Sequence, residues 1–420
     1  MGRKWHTLLM RVLHTSDWHL GRFFHGHDLH EIHSAFLDHL IEVVKDQKID
    51  LVVLSGDVFD RAVAPTQSVA LADEAFRRLT ELTRVVLTAG NHDSDIRLGF
   101  NAQQLNERLT IAARIENCGR GYDFPDASGR VGLRVYPLPY LDPDAARVTL
   151  PSHLRLLGEQ VWAEGEEHPQ TWQMLARSHE AAVGAALRLV QADLAAHKPK
   201  TPVLVMAHAF VVGGQASQSE RDIRVGGVDS VPSALFTQVP GLAYAALGHL
   251  HRPQEIALGD LDSARPPVRL VYSGSPVPLS FGEAEFEKSS VIAEFDGAGL
   301  VSLERVVVPS FQPIATISGT FEQLMGPDFD DYSEHWLRVR LAGARPPQAL
   351  AQLKQRFKGL CVFEQVDLPQ QIDSPRLNRD NTLSPLQLSQ GFMDEMGIEL
   401  NPYQLQILRN SYEKVVKEAR

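Results

Sequence analysis

Cysteine is scarce, with two among 420 residues. Cys118 and Cys361 lie far apart and no Cys-x-x-Cys pair occurs, which argues against a disulfide scaffold or a thiolate zinc cluster and fits a reducing, cytoplasmic setting. Basic residues are in deficit. The balance of 41 Lys and Arg against 52 Asp and Glu gives a formal net charge of −11, so a basic glove for nucleic acid is not the first expectation. No apolar run approaches the roughly 18 to 20 residues of a membrane helix, and Met1 to His6 lacks an apolar stretch followed by a cleavage site. The chain is therefore expected neither to enter a membrane nor to be exported. Internal repeats and low-complexity tracts are also missing, which excludes solenoids and linker-like chains.

A hydrophobic content of 44% over this length supplies cores for roughly two or three domains. The first 280 residues alternate short apolar runs with helical spacing, the pattern of a layered α/β domain. Strands are expected at Val12 to Thr15, Leu51 to Leu54, Val85 to Thr88, Val131 to Tyr136, Val203 to Ala207, Tyr244 to Leu247 and Val268 to Tyr272. Leu29, Ile32, Phe36, Leu40, Val43 and Val44 predict one helix; Val69, Ala72, Phe76 and Leu79, after Pro65-Thr66, predict another. A third is expected over Ala181 to Ala196. After a strand pair at Val291 to Phe295 and Leu300 to Val308, Pro309 to Pro313 reads as a linker. The expected division is a main domain over 10–308, a small β-α-β-α-β cap over 314–370, and a C-terminal helical segment over 383–420. Met1 to Leu9 is set aside as an extension.

Five short motifs fall where expected strands end: Asp17-Trp-His19, Gly56-Asp57-Val-Phe-Asp60, Gly90-Asn91-His92-Asp93, Ala207-His208 and Gly248-His249-Leu-His251. In open α/β architectures the loops at the carboxyl ends of strands converge on a ligand. Mixed carboxylate, imidazole and amide donors suit borderline divalent ions. A pair of such ions needs a bridging carboxylate and several flanking ligands. Asp17, His19, Asp57, Asn91, His208, His249 and His251 supply seven donors. Asp-x-His and His-x-His put both side chains on one side of an extended segment. His92 need not be a ligand, since an imidazole beside the metals can protonate a leaving oxygen; Asp93 is positioned to orient it.

This ordered set resembles the calcineurin-like metallophosphoesterases. Further strings resemble the bacterial SbcD nuclease subunits and their archaeal and eukaryotic relatives: His14 to Gly21, Gly56 to Asp60, Arg221 to Arg224, Ala246 to His251 and Ser273 to Ser280. The resemblance implies a β-sandwich flanked by helices, with a small α+β cap and a helical tail. It also implies a manganese-dependent exo- and endonuclease on double-stranded DNA ends and hairpins, acting with an SMC-like ATPase, SbcC, in DNA repair, recombination and replication, and so associated with the nucleoid. By carry-over, Asp17, His19 and His251 would hold one Mn²⁺, Asn91, His208 and His249 the other, Asp57 would bridge, and His92 would assist catalysis. Archaeal and eukaryotic relatives have a histidine where this chain has Asp60, which places it in the bacterial branch. A homodimer through the region after Pro65 is also implied.

Other features read more plainly. His25-Gly-His27, His30, His33 and His39 scatter round a helix and are expected to be solvated or packed. Arg22, Arg61, Arg97, Arg221 and Arg224 could touch phosphates or make surface ion pairs. Leu405, Leu408, Tyr412, Val415 and Val416 form a stripe expected to dock the partner. The alternatives are a phosphoesterase for small phosphodiesters or monoesters, which shares every ligand, and a non-catalytic scaffold tethering DNA.

Overall fold

The computed structural model describes residues 9–366, apart from 105–106, 127, 157–173, 218, 221–229 and 259–267, together with residue 404. The expected C-terminal helical segment over 383–420 with its apolar stripe, and Arg221 and Arg224, lie outside the described residues apart from residue 404.

Two six-stranded sheets form the frame. One runs in the order Gly299–Val307, Ser289–Asp296, Met10–Thr15, Leu51–Ser55, Arg84–Thr88, Leu109–Ala112. Its last four strands are parallel and its first two antiparallel. The other runs Gln254–Glu255, Arg269–Tyr272, Leu242–Gly248, Val203–His208, Val131–Pro137, Tyr122–Pro125, with the central four parallel. Parallel strands need both faces covered, and their sequences are accordingly apolar on both. Along the first sheet Val12, Val53 and Val86 point into the space between the sheets, where they meet Leu133, Val135, Leu204, Met206, Tyr244 and Ala246. Their neighbours Leu13, Val52, Leu54, Val85 and Leu87 face the helices His30–Asp46 and Thr66–Leu82. The second sheet buries its outer face under Pro143–Leu156 and His179–His197. The result is a four-layered sandwich, helices outside and sheets inside, as expected from the sequence.

Several elements depart from the expectation. The helix Pro143–Leu156 was not legible because Pro151 sits within it, yet Asp142 caps it by accepting from the N–H groups of Asp144 and Ala145. On Thr66–Leu82 the buried stripe is Ala72, Ala75 and Leu79, while Val69 is exposed.

Residues 314–366 form a small β-α-β-α-β unit. Its sheet is parallel throughout, Ile314–Gly319 beside Trp336–Ala342 beside Leu360–Val366. The helices Phe321–Met325 and Ala349–Arg356 cover one face through Leu324, Ala349 and Leu353. At the edge of the cap, Trp336 stacks on Phe24 at 5.3 Å and on His27 at 4.7 Å, and Phe281 takes Arg338 over its ring at 5.0 Å. His27 is thus a packing residue of the short hairpin Phe23–Asp28, and His33 is fully buried in its helix.

Trp18, between two candidate ligands, points the other way from them in function: it is fully buried, stacked on Phe76 at 5.7 Å, edge-on to Phe36 at 5.9 Å, and donates to Thr15 Oγ1 at 3.0 Å. It nails the first ligand loop to the helical layer. Trp18→Ala is expected to destabilise the fold by about 3 to 5 kcal/mol; a urea midpoint unchanged from wild type would refute this anchoring role.

Candidate metal centre

All seven predicted ligands and His92 meet at the carboxyl ends of the strands, where the two sheets converge. Three loops of the first sheet deliver Asp17, Asp57 and Asn91; the second delivers His208, His249 and His251. Asp17, His19, Asp57, His208, His249 and His251 are all buried.

The loops are laced together through the backbone. Asp17 N–H donates to the carbonyl of Gly56 at 3.1 Å, His19 N–H to that of Asp57 at 3.0 Å, and Leu20 N–H to that of Val58 at 3.0 Å. Asp17 and His19 are therefore not on an extended segment as expected. Their φ angles are +55° and +47°, and two left-handed residues, not strand alternation, turn both side chains inward. Asp57 at +51° and His249 at +101° share this rare conformation. Two glycines of these motifs have no room for a side chain. A Cβ at Gly90 would lie 2.1 Å from Asp57 Oδ1, and one at Gly248 would lie 1.9 Å from the carbonyl oxygen of Ser55. Close approach, not turning, requires glycine at these two positions.

The donor atoms point at one another. His19 Nε2 and His251 Nε2 are 3.2 Å apart, and Asp57 Oδ2 lies 3.5 Å from His19 Nε2 and 3.4 Å from His208 Nε2. Asn91 Oδ1 sits 2.9 Å from His208 Nε2 and 3.2 Å from His249 Nδ1. Three groups are close enough to hold an ion: Asp17, His19 and His251; Asp17, Asp57 and His208; and His19, Asp57 and His92. Each carboxylate is steadied from behind: His92 N–H donates to Asp57 Oδ1 at 2.8 Å, and His249 N–H to Asp17 Oδ1 at 2.9 Å. His208 donates its Nδ1 proton to the carbonyl of Ser55 at 3.0 Å, which leaves Nε2 facing Asp57 and Asn91. This all-nitrogen-and-oxygen set fits divalent metal ions.

Asp93 does not orient His92, contrary to expectation. Its carboxylate accepts the N–H groups of Val58, Phe59 and Gly90, at 3.1, 2.9 and 2.9 Å, and so ties two ligand loops together. The His92 ring is held instead by the backbone carbonyl of Asp60, 2.8 Å from Nδ1. Sequence reasoning also missed the residues behind His251: Ser219, Glu220, Glu283 and Lys288. Glu283 and Lys288 follow the Ser273 to Ser280 string at short range, which was the available signal.

The electrostatics are those of a site short of positive charge. Burial, opposed by the neighbouring imidazoles, pushes Asp17 up to about 6. Burial works to raise Asp57 too, but His208 and His19 hold it well below the usual carboxylate range. Burial opposes a charge on His208, yet Asp57 and Asp17 raise it to about 9, while burial lowers His19 and His249 well below normal.

The family described as calcineurin-like phosphoesterase matches residues 10–253. The chain is 33% identical to the SbcD subunit of the Escherichia coli nuclease SbcCD over 320 residues, covering 74% of this chain and 71% of that protein. It is 30% identical to the SbcD subunit of Rhodobacter capsulatus, covering 84% and 87%. For the Bacillus subtilis protein of the same name the identity is 28%, covering 88% of each.

Since His208 must lose its proton to ligate, divalent-ion affinity is expected to rise about tenfold per pH unit between roughly pH 7 and 9 and to fall more steeply below about pH 6, where Asp17 also takes up a proton. Calorimetry in buffers of differing ionisation enthalpy checks this; an affinity flat from pH 7 to 9 would contradict it.

Proposed function

The chain belongs to the calcineurin-like phosphoesterases and, among them, to the family of SbcD nuclease subunits; from that premise we propose that it is the DNA-cleaving subunit of an SbcCD-type nuclease, using two divalent ions, Mn²⁺ first among them. The observation that carries the reading is Asp57 Oδ2, set nearly midway between His19 Nε2 at 3.5 Å and His208 Nε2 at 3.4 Å, where one carboxylate can serve two ions. Asp17, His19 and His251 would hold one ion and Asn91, His208 and His249 the other, with Asp57 shared between them.

When bound, such ions supply Lewis-acid stabilisation of the phosphoryl oxygens and lower the pKa of an attacking water. The side chains do the rest. His92 Nδ1 donates to the Asp60 carbonyl, so Nε2 is the ring atom left to face the departing oxygen of a phosphodiester, to which the imidazolium form of the ring would give its Nε2 proton. His92, like Asn91 beside it, is only partly buried, whereas Asp17, His19, Asp57, His208, His249 and His251 are buried; partial exposure suits a group that meets substrate. The buried donors keep solvent from competing with the phosphate for the ions.

The substrate is double-stranded DNA ends and hairpins, processed in repair, recombination and replication. The partner is an SbcC-type SMC-like ATPase, docked by the helical segment 383–420, and the setting is the cytoplasm and its nucleoid. A homodimer through the helix Thr66–Leu82 and its neighbourhood completes the assembly; exposed Val63, Val69, Ile96 and Phe100 support it. The boundaries proposed from the sequence, 10–308, 314–370 and 383–420, accompany this reading.

End-labelled duplex and hairpin DNA, a small phosphodiester and a phosphomonoester, each with Mn²⁺ or Mg²⁺ and with or without the ATPase and ATP, separate the possibilities. Cleavage of DNA is expected; turnover of the monoester without DNA cleavage would establish the small-molecule alternative, and no turnover of any substrate would favour the scaffold. His92→Ala is expected to lower turnover by about 10² to 10⁴ while both ions still bind. Loss of an ion from that variant by calorimetry would make His92 a ligand instead.

A further inference from the structure

The Ser273 to Ser280 segment and the buried pair beyond it have no part in ligation, yet they enclose the back of His251. Glu283 is fully buried and Lys288 is 5% exposed. A buried ion pair gives little net stability over apolar residues of like volume, so stability alone does not account for it. Lys288 Nζ reaches Glu283 Oε2 at 2.5 Å, Ser275 Oγ at 2.9 Å and the carbonyl of His251 at 3.1 Å, which uses all three of its protons. The other oxygen, Glu283 Oε1, takes the hydroxyls of Ser219 and Ser280, the latter at 3.1 Å.

A serine hydroxyl has one proton. Facing a carboxylate already paired with an ammonium, Ser219 must donate that proton to Glu283 and can only accept at its lone pairs. His251 Nδ1 lies 2.5 Å from Ser219 Oγ, so Nδ1 is the protonated nitrogen. Nε2 is then bare, and it is this atom that stands 3.2 Å from His19 Nε2. Among the described residues no such bond fixes His19 from behind: its Nδ1 is 3.8 Å from Asp60 Oδ1, beyond hydrogen-bond reach.

We propose that Lys288, Glu283 and Ser219 form a fixed chain of donors and acceptors that locks His251 in the tautomer able to bind metal, and thereby sets the affinity of one of the two ions. They are positioning residues. The same segment reaches another proposed ligand of that ion, since Ser273 Oγ lies 2.9 Å from Ser16 Oγ and Ser16 donates to Asp17 Oδ2 at 2.5 Å. The inference rests on the two-ion reading given above.

The test is Mn²⁺ calorimetry on the full chain, with ¹⁵N histidine NMR of the metal-free protein. Wild type is expected to bind two ions and to show His251 protonated at Nδ1. Ser219→Ala should weaken one ion by about 10- to 100-fold, leave the other unchanged and mix the His251 tautomers, and Ser219→Thr should restore both. Glu283→Gln with Lys288→Met, which removes both charges at similar volume, should reproduce the Ser219→Ala split. Two ions of unaltered affinity in Ser219→Ala would overturn the chain while leaving the two-ion site standing. Equal weakening of both ions with a lowered melting temperature, unrelieved by Ser219→Thr, would reduce these residues to general support. Fewer than two ions in wild type would instead overturn the two-ion reading itself.

Discussion

The Asp57 carboxylate joins the two halves of the sandwich: its Oδ1 is fixed by the backbone N–H of His92, 2.8 Å away, while Oδ2 faces His19 of one sheet and His208 of the other at 3.5 and 3.4 Å. For a single carboxylate to be reached from both sheets, the strand ends must come closer than ordinary sheet packing, in which faces stand about 10 Å apart. Gly90 and Gly248 make this possible by having no side chain where Asp57 and Ser55 need the space. Ser55 then fastens the junction, its hydroxyl donating to the carbonyl of Ala246 at 2.9 Å and its carbonyl accepting from His208 at 3.0 Å. The fold is thus drawn together at one edge, and the site is what occupies that edge.

This convergence stores unfavourable energy in the protein. Of the nine non-glycine residues with positive φ among the described residues, four, Asp17, His19, Asp57 and His249, are proposed ligands. Each such conformation costs of order 1 to 3 kcal/mol and persists only where the surroundings over-determine it. To that is added the burial of two carboxylates and several imidazoles whose lone pairs face one another. The scaffold that resists this is extensive: Trp18 in the helical core, the backbone ladder from Asp17 to Leu20, and Asp93 binding three N–H groups across two loops. Divalent ions would convert the repulsion among these donors into attraction, so metal binding and local stability are coupled here by construction.

How much of this the sequence disclosed follows from what leaves a local trace. Strand positions were legible because parallel strands buried on both faces read as unbroken apolar runs, as in Leu51–Ser55 and Val203–His208. The candidate ligands stood out because each lies just past such a run and is of a residue type that suits a divalent ion. What stayed hidden depends on contacts between distant segments. The left-handed turns at Asp17 and His19 are imposed by pairing with residues 56 to 58, some forty positions away. The true task of Asp93 is set by amides on another loop, and its neighbour His92 by a backbone carbonyl that carries no residue identity at all. The serines at 217, 219, 273, 275 and 280 are ordinary in composition, and only in space do they converge on Asp17 and Glu283.

The net charge of −11 bears on the proposed substrate through where the cations are. Arg22, adjacent to the centre, is spent on structure: it pairs with Asp60 at 3.0 Å and reaches the carbonyl of Ser219 at 3.4 Å, linking the first ligand loop to the chain behind His251. Arg61 is different, because its side chain is 67% exposed and its contact with Asp60 is 3.5 Å, an exposed pair worth little. Nonspecific affinity for DNA scales with the number of phosphates neutralised by free cations. A surface acidic overall, with the arginine nearest the metals already engaged, gives few such contacts to a duplex. Under the proposed function, the buried centre then governs where the bond breaks, while grip on the duplex has to come from a second subunit. That division of labour would explain why a nuclease chain can carry a net charge of −11.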